Sequence, residues 1–104
     1  MFVMRISRHS PEACPAFEAK YKDAWLTAME KDESLAAKHK VKIVGVWVDS
    51  PGHTVYSLYD TPSVENLMDY TMEPEIKATM AFQTSVIKPL KPAKEIAAMI
   101  KKKK

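Results

Sequence analysis

The apolar positions along the chain follow two periods, and the switches between them lay out the fold. Between Lys42 and Thr61, two apolar runs, Ile43 to Val48 and Val55 to Tyr59, flank Asp49-Ser50-Pro51-Gly52. Asp opens a turn, Pro fixes φ and Gly permits φ > 0, so this stretch predicts a β-hairpin. Phe2, Met4 and Ile6 alternate with more polar neighbours and predict a first strand over Met1 to Ser7. Phe17, Tyr21, Ala24, Trp25, Ala28 and Met29 recur instead at helical spacing. Ser10-Pro11-Glu12 reads as a helix start, but Pro15 would lack a needed N–H, so the regular helix is expected from about Cys14-Pro15. Glu30 to Glu33 reads as a polar break, and Ser34 as the cap of a second piece, Leu35 to Lys40.

After the hairpin, Val64, Leu67, Met68, Thr71 and Met72 return to helical spacing, interrupted by Pro74. Ala81 to Lys88 alternates and predicts a last strand, ended by Pro89 and Pro92. Ile96, Met99 and Ile100 give a short C-terminal helix an apolar stripe. The order β-α-β-β-α-β plus a C-terminal helix is the ferredoxin-like, α+β arrangement: a four-stranded antiparallel sheet with its helices on one face. Ile43 to Val48 is apolar on both faces: Ile43, Gly45 and Trp47 on one, Val44, Val46 and Val48 on the other. Read as a central strand, it needs a second layer beyond the helices. A homodimer joined through the sheet face is the simplest solution.

The chain has 104 residues, enough for one domain over residues 1–100, with 101–104 expected as a disordered basic tail. The tail changes the reading of charge. Formal net charge is +3, but without the four terminal lysines 12 basic residues face 13 acidic ones. A nearly neutral body without a basic, aromatic-studded face argues against nucleic acid as a partner. The N-terminal stretch MFVMRISRHS holds no apolar run of signal-peptide or membrane-span length. With one cysteine and so no intrachain disulfide, the expectation is a cytoplasmic protein with no membrane partner.

VKIVGVWVDSPGHTVYSLYDTPSVENLMDY and, near the start, HSPEACP resemble the small members of the dimeric α/β-barrel superfamily. The shared features are a Trp-bearing strand, a Gly-His exit from the turn, then an acidic residue and a helix. The resemblance spans about residues 1 to 90. It implies two ferredoxin-like subunits with facing sheets. That superfamily includes cofactor-free monooxygenases, haem-handling enzymes, isomerases, dehydratases and proteins of no known activity. No haem-ligand motif carries over.

Two constellations could carry chemistry. His53 leaves the hairpin turn near Trp47, and Tyr56 and Tyr59 follow on the next strand. Gly45 leaves room beside them. An even loop puts Trp47 on the face of Tyr56, pairing with Thr54; an odd loop groups Trp47 with His53, Val55 and Tyr59. Such a cluster suits an apolar pocket with a few placed polar groups. On that reading His53 and Tyr56 are the catalytic candidates and Trp47, Gly45 and Tyr59 bind the ligand. His53 and Trp47 can equally be a satisfied rim residue and a core residue.

The second constellation is His9 with Cys14, beside a helix start that favours a thiolate. With His53 it could hold a metal. Yet His-x4-Cys is no standard ligand spacing and the chain has no CxxC, so no metal and no cofactor are expected, and Cys14 is expected to be buried and inert. His39 is expected as a solvated cation at a helix C-terminus, and Asp60 as a helix cap. The function expected is thus a small-molecule-binding protein or cofactor-free enzyme, oxygenase-like or isomerase-like, with its ligand in the cavity on the sheet face. The alternative is a non-catalytic homo-oligomer whose barrel is filled by its own side chains.

Overall fold

A computed structural model describes residues 1–102. The elements are β1 (Phe2–Arg8), α1 (Ala19–Lys38), β2 (Lys42–Asp49), β3 (Thr54–Asp60), α2 (Val64–Thr71), α3 (Pro74–Lys77), β4 (Thr84–Leu90) and α4 (Ala93–Lys102). The strands form one antiparallel sheet in the order β2-β3-β1-β4. This is the ferredoxin-like α+β fold, with α4 appended. Lys101 and Lys102, expected in the tail, belong to α4, and the rest of that tail lies outside the described residues.

Strand alternation sorts the sheet into two faces. Val3, Arg5 and Ser7 of β1 and Val55, Ser57 and Tyr59 of β3 are all buried on the helix-covered face. The core there joins Val3 and Tyr59 to Ala28 and Ala36 of α1, Leu67 and Tyr70 of α2, and Ile76 of α3. The opposite face carries Phe2, Ile6, Tyr56, Leu58, Val86 and Leu90, and among the described residues no helix covers it. Phe2, Val86 and Leu90 are among the exposed large apolar residues.

The two-sided apolar strand proves to be an edge. β2 pairs only with β3, and the central strands are β1 and β3. The register also slips between Ile43 and Gly45, so Val44 is an extra residue in a β-bulge. The bulge resets the alternation: Ile43 opposes Tyr59 on the covered face, whereas Gly45 and Trp47 lie on the open one. The open apolar face is therefore built mainly by β1, β3 and β4. β4 runs to Leu90 through Pro89, which was expected to end it. β4 is the other edge, where a missing N–H is tolerated.

α1 is one helix, without the expected break at Glu30–Glu33. Ser34 donates its hydroxyl to the Lys31 carbonyl (3.1 Å) from inside the helix and caps nothing. Its C-terminus is closed by backbone bonds. Val41 N–H donates to the Ala36 carbonyl and Lys40 N–H to that of Ala37, and Lys40 sits at φ 62°. That is a Schellman ending, with lysine in the left-handed position glycine usually takes. His39, expected to be solvated, bonds through Nε2 to Glu73 Oε1 at 2.8 Å. Asp60 does not cap α2. Ser63 does, its Oγ accepting from Asn66 N–H at 3.1 Å, and Asp60 instead faces the Met1 amino group at 3.4 Å.

Candidate functional site

α1 begins only at Ala19 because the chain before it is folded back on itself. Pro11–Ala13 makes one 3-10 turn, closed by Cys14 N–H on the Pro11 carbonyl. The Cys14 carbonyl then accepts from both Phe17 N–H (3.0 Å) and Glu18 N–H (2.7 Å). Glu18 caps α1, its carboxylate accepting from Lys20 N–H. This knot places Cys14 and Phe17 beside the first turns of α1 instead of on its buried face. Phe17, expected to start the apolar stripe, is 83% exposed.

The hairpin turn approaches from the other side. Asp49 Oδ1 accepts from Gly52 N–H at 3.1 Å, and His53 N–H donates to the Ser50 carbonyl at 3.2 Å. His53 itself takes φ 50°, a left-handed conformation that costs a residue with a Cβ. Because β1 and β3 are antiparallel neighbours with Arg8 opposite Thr54, the end of β1 meets the start of β3. His9 therefore faces His53. Its N–H donates to the His53 carbonyl at 3.2 Å, and the two rings meet edge to face, centroids 5.2 Å apart.

Between the knot, the turn and α1 lies a cavity of about 420 Å³. His9, Cys14 and His53 face it, with Phe17, Trp25, Leu26, Val48 and Val55 as apolar walls and Lys22 and Ser50 as further polar neighbours. The ligating atoms of His9, Cys14 and His53 all lie within 4.8 Å of one another. Both ring nitrogens of His9 are buried without a hydrogen-bond partner among the described residues. Burial, and after it the charge of His53, holds His9 below the ordinary imidazole range. Cys14 is buried as expected, at 7% exposure, but its thiol faces the cavity.

Trp25 and Val55 also line a smaller, inner cavity of about 50 Å³. Arg5, Asp32, Tyr59 and Tyr70 surround it. Arg5 is 6% exposed; its Nε donates to Ser85 Oγ, and one of its terminal nitrogens has no partner among the described residues. Burial raises the carboxyl of Asp32 and the phenol of Tyr70 above their usual ranges. Nothing in the period-two reading of β1 distinguished Arg5 from an outward-facing residue.

The expected site residues divide between the two faces. Trp47 opposes Tyr56, not Thr54, and with Gly45 both lie on the open face. The room beside Gly45 is taken: an added Cβ there would meet the Trp47 ring at 2.7 and 2.8 Å. Tyr59 lies on the covered face, 2% exposed, with its ring 5.9 Å from that of Tyr70. His53 keeps company with His9 and Cys14. The sheet-face cluster of His53 with Trp47 and the tyrosines does not assemble within one chain.

No protein-family model matches the chain, and no curated protein matches it in sequence. Solved structures do match in shape. A NIPSNAP family protein of unknown function from Agrobacterium tumefaciens superposes with a TM-score of 0.57 at 15% identity, covering 88% of this chain and 86% of that one. An antibiotic biosynthesis monooxygenase superposes with a TM-score of 0.52 at 17% identity, over 88% and 100%. An uncharacterised NIPSNAP domain protein from Burkholderia xenovorans gives 0.50 at 10%, over 88% and 95%. The fold these structures share with the chain is the ferredoxin-like α+β one. At such identities the likeness is one of fold. Among the described residues no helix is long and apolar enough to cross a membrane.

Proposed function

We propose that the chain binds a small, largely apolar molecule in the cavity between the sheet and α1, and acts on it through His9 and His53. The observation that carries this reading is the cavity itself. About 420 Å³ is of ligand size, and two imidazoles and a thiol break an otherwise mostly apolar wall. His9 is held toward its neutral form, which leaves a ring nitrogen able to accept a proton. His53 beside it can return one. Proton transfer of this kind serves an isomerase-like reaction, or an oxygenase-like one that starts by deprotonating the substrate.

The open face has a separate role. Phe2, Ile6, Tyr56, Leu58, Val86 and Leu90 form an apolar surface with a half-exposed Trp47 at its edge. A second copy, facing sheet to sheet, buries it. Trp47, Gly45 and Tyr56 then belong to the interface and not to the ligand. Light scattering on the full chain should give twice the chain mass at micromolar concentration, and Ile6→Glu should give one chain mass with an unchanged circular dichroism spectrum. A monomeric wild type sinks the assembly.

The ligand reading is tested by fragment screening with ligand-observed NMR. Leu26→Trp, which fills the cavity from its α1 wall, should abolish binding of small aromatic fragments, whereas Ile6→Glu should not. Fragment binding indifferent to Leu26→Trp would place the ligand elsewhere.

A further inference from the structure

The geometry points to a divalent metal site of the zinc class formed by His9, Cys14 and His53. This rests on the cavity reading, since the three side chains are among the polar groups of that cavity, and it revises their role: with an ion bound, His9 and His53 would serve as its ligands, and the proton would be handled by water held on the ion instead of by the imidazoles. The expectation from spacing was the reverse, because His9 and Cys14 do not match a local ligand motif. Spacing along the chain is the wrong measure here. The site is assembled from three segments: the end of β1, the knot before α1, and the hairpin turn before β3.

Three observations converge. The donor set is two imidazoles and one thiol, a borderline-to-soft combination that suits zinc and disfavours magnesium or calcium. The donor atoms lie within 4.8 Å of one another. Ligands of a tetrahedral zinc ion stand about 3.4–3.7 Å apart, given bonds of about 2.0–2.3 Å. Side-chain rotations that draw the rings and the thiol inward by about an ångström close that difference. Finally, neither ring nitrogen of His9 has a hydrogen-bond partner among the described residues, although both are buried. Buried polar atoms are normally satisfied, and a metal ion would satisfy one of these.

Three protein ligands leave a fourth position open, which is the pattern of a metal that handles substrate and not of one that merely braces the fold. A fourth ligand would come from the cavity, whose walls include Trp25, Leu26 and Val55. It would be water or an oxygen of the bound molecule. On binding the ion, Cys14 gives up its S–H proton to solvent, and His9 and His53 ligate in the neutral form. The left-handed backbone at His53 fits the same purpose: it is a strained geometry that turns one imidazole toward the other.

The test uses the full chain stripped with a chelator and titrated with zinc in competition with a chromophoric chelator. One ion per chain is expected. His9→Ala, Cys14→Ser and His53→Ala should each weaken binding by more than about tenfold. His39→Ala, which removes a histidine paired with Glu73 at 2.8 Å, should leave it unchanged. Cobalt on the wild-type protein supplies a readout that needs no variant. Strong visible bands of tetrahedral cobalt with a thiolate-to-cobalt charge-transfer band are expected. No zinc binding, binding unaffected by the three substitutions, or a cobalt spectrum without the thiolate band overturns the site. Fragment binding to the stripped protein separates the two readings. If fragments still bind and Leu26→Trp still blocks them, loss of the metal site leaves the cavity reading standing. If neither zinc nor fragments bind, both fall.

Discussion

His9 and His53 are joined twice: backbone to backbone at 3.2 Å, and ring edge to ring face at 5.2 Å between centroids. The contact is held at a cost, because His53 sits at φ 50°. Glycine adopts that conformation freely, and a β-branched residue resists it. His53→Val should therefore be less stable than His53→Gly by about 1–2 kcal/mol. Urea denaturation of the two variants measures this. Equal midpoints would show that the turn relaxes and that the left-handed backbone is not imposed by its surroundings.

Lys40 occupies the other left-handed position, at the end of α1. Nothing about its side chain requires lysine there, and the Schellman bonds come from the backbone. Lys40→Gly should raise stability by about 1 kcal/mol. A lower denaturation midpoint would mean that the lysine side chain makes a compensating contribution.

Gly45 and Trp47 form a coupled pair. A Cβ at position 45 would meet the indole at 2.7 Å, so Gly45→Ala must displace the ring from its place on the sheet. The atoms met are the outer end of a half-exposed ring that can swing aside, so the expected loss is below about 1 kcal/mol. In Trp47→Ala the same change should cost less still, and a double-mutant cycle reads the difference as coupling. Additive effects would show that the ring does not rest there in solution. The proposed dimer should weaken in Gly45→Ala as well, since the indole borders the open face.

Glu73 links the end of α1 to the segment between α2 and α3. Its Oε1 accepts from His39 Nε2 at 2.8 Å and pairs with Lys38 Nζ at 2.9 Å. These bonds, His39 first and Lys38 second, hold its carboxyl below the usual value of 4.5. A carboxyl lowered on folding stabilises the fold at pH above its unfolded value, and that contribution vanishes as pH falls through the lower, folded value. The melting temperature of wild type should therefore exceed that of Glu73→Gln near neutrality. The gap should close at pH below about 4.5. A gap that is constant with pH would assign the effect to shape instead of charge.

The element order was readable from the chain because period-two and helical patterns are local, whereas the uncovered apolar face was inferred from Ile43 to Val48, a strand that lies at the edge. What failed was non-local. One bulged residue, Val44, inverted the facing of Ile43, and no alternation pattern marks a bulge in advance. Strand order hid in the same way, because an apolar run looks central whether it ends up at an edge or not. The candidate site was half readable. His9, Cys14 and His53 were considered together as a metal site, but no ligand motif in their spacing supported the grouping and no metal was expected. The signal that could have joined them is topological. In a βαββαβ sheet β1 runs antiparallel to β3, so the residue after β1 must lie beside the residue before β3. Arg5 and the inner cavity had no such signal, since a charged residue on a strand ordinarily reads as exposed.

Both rims of the sheet are unsuited to further pairing. On one side Val44 kinks β2, and on the other Pro89 deprives β4 of a backbone donor. A chain that offered clean rims as well as an apolar face could grow without limit, rim to rim. Here a third molecule finds no straight ladder to extend, while a second one finds a flat apolar surface. In the proposed dimer, association through that face closes on itself and does not grow into a ribbon. Restoring a donor at Pro89 and removing the bulge would be the two changes with which this protein becomes prone to fibres.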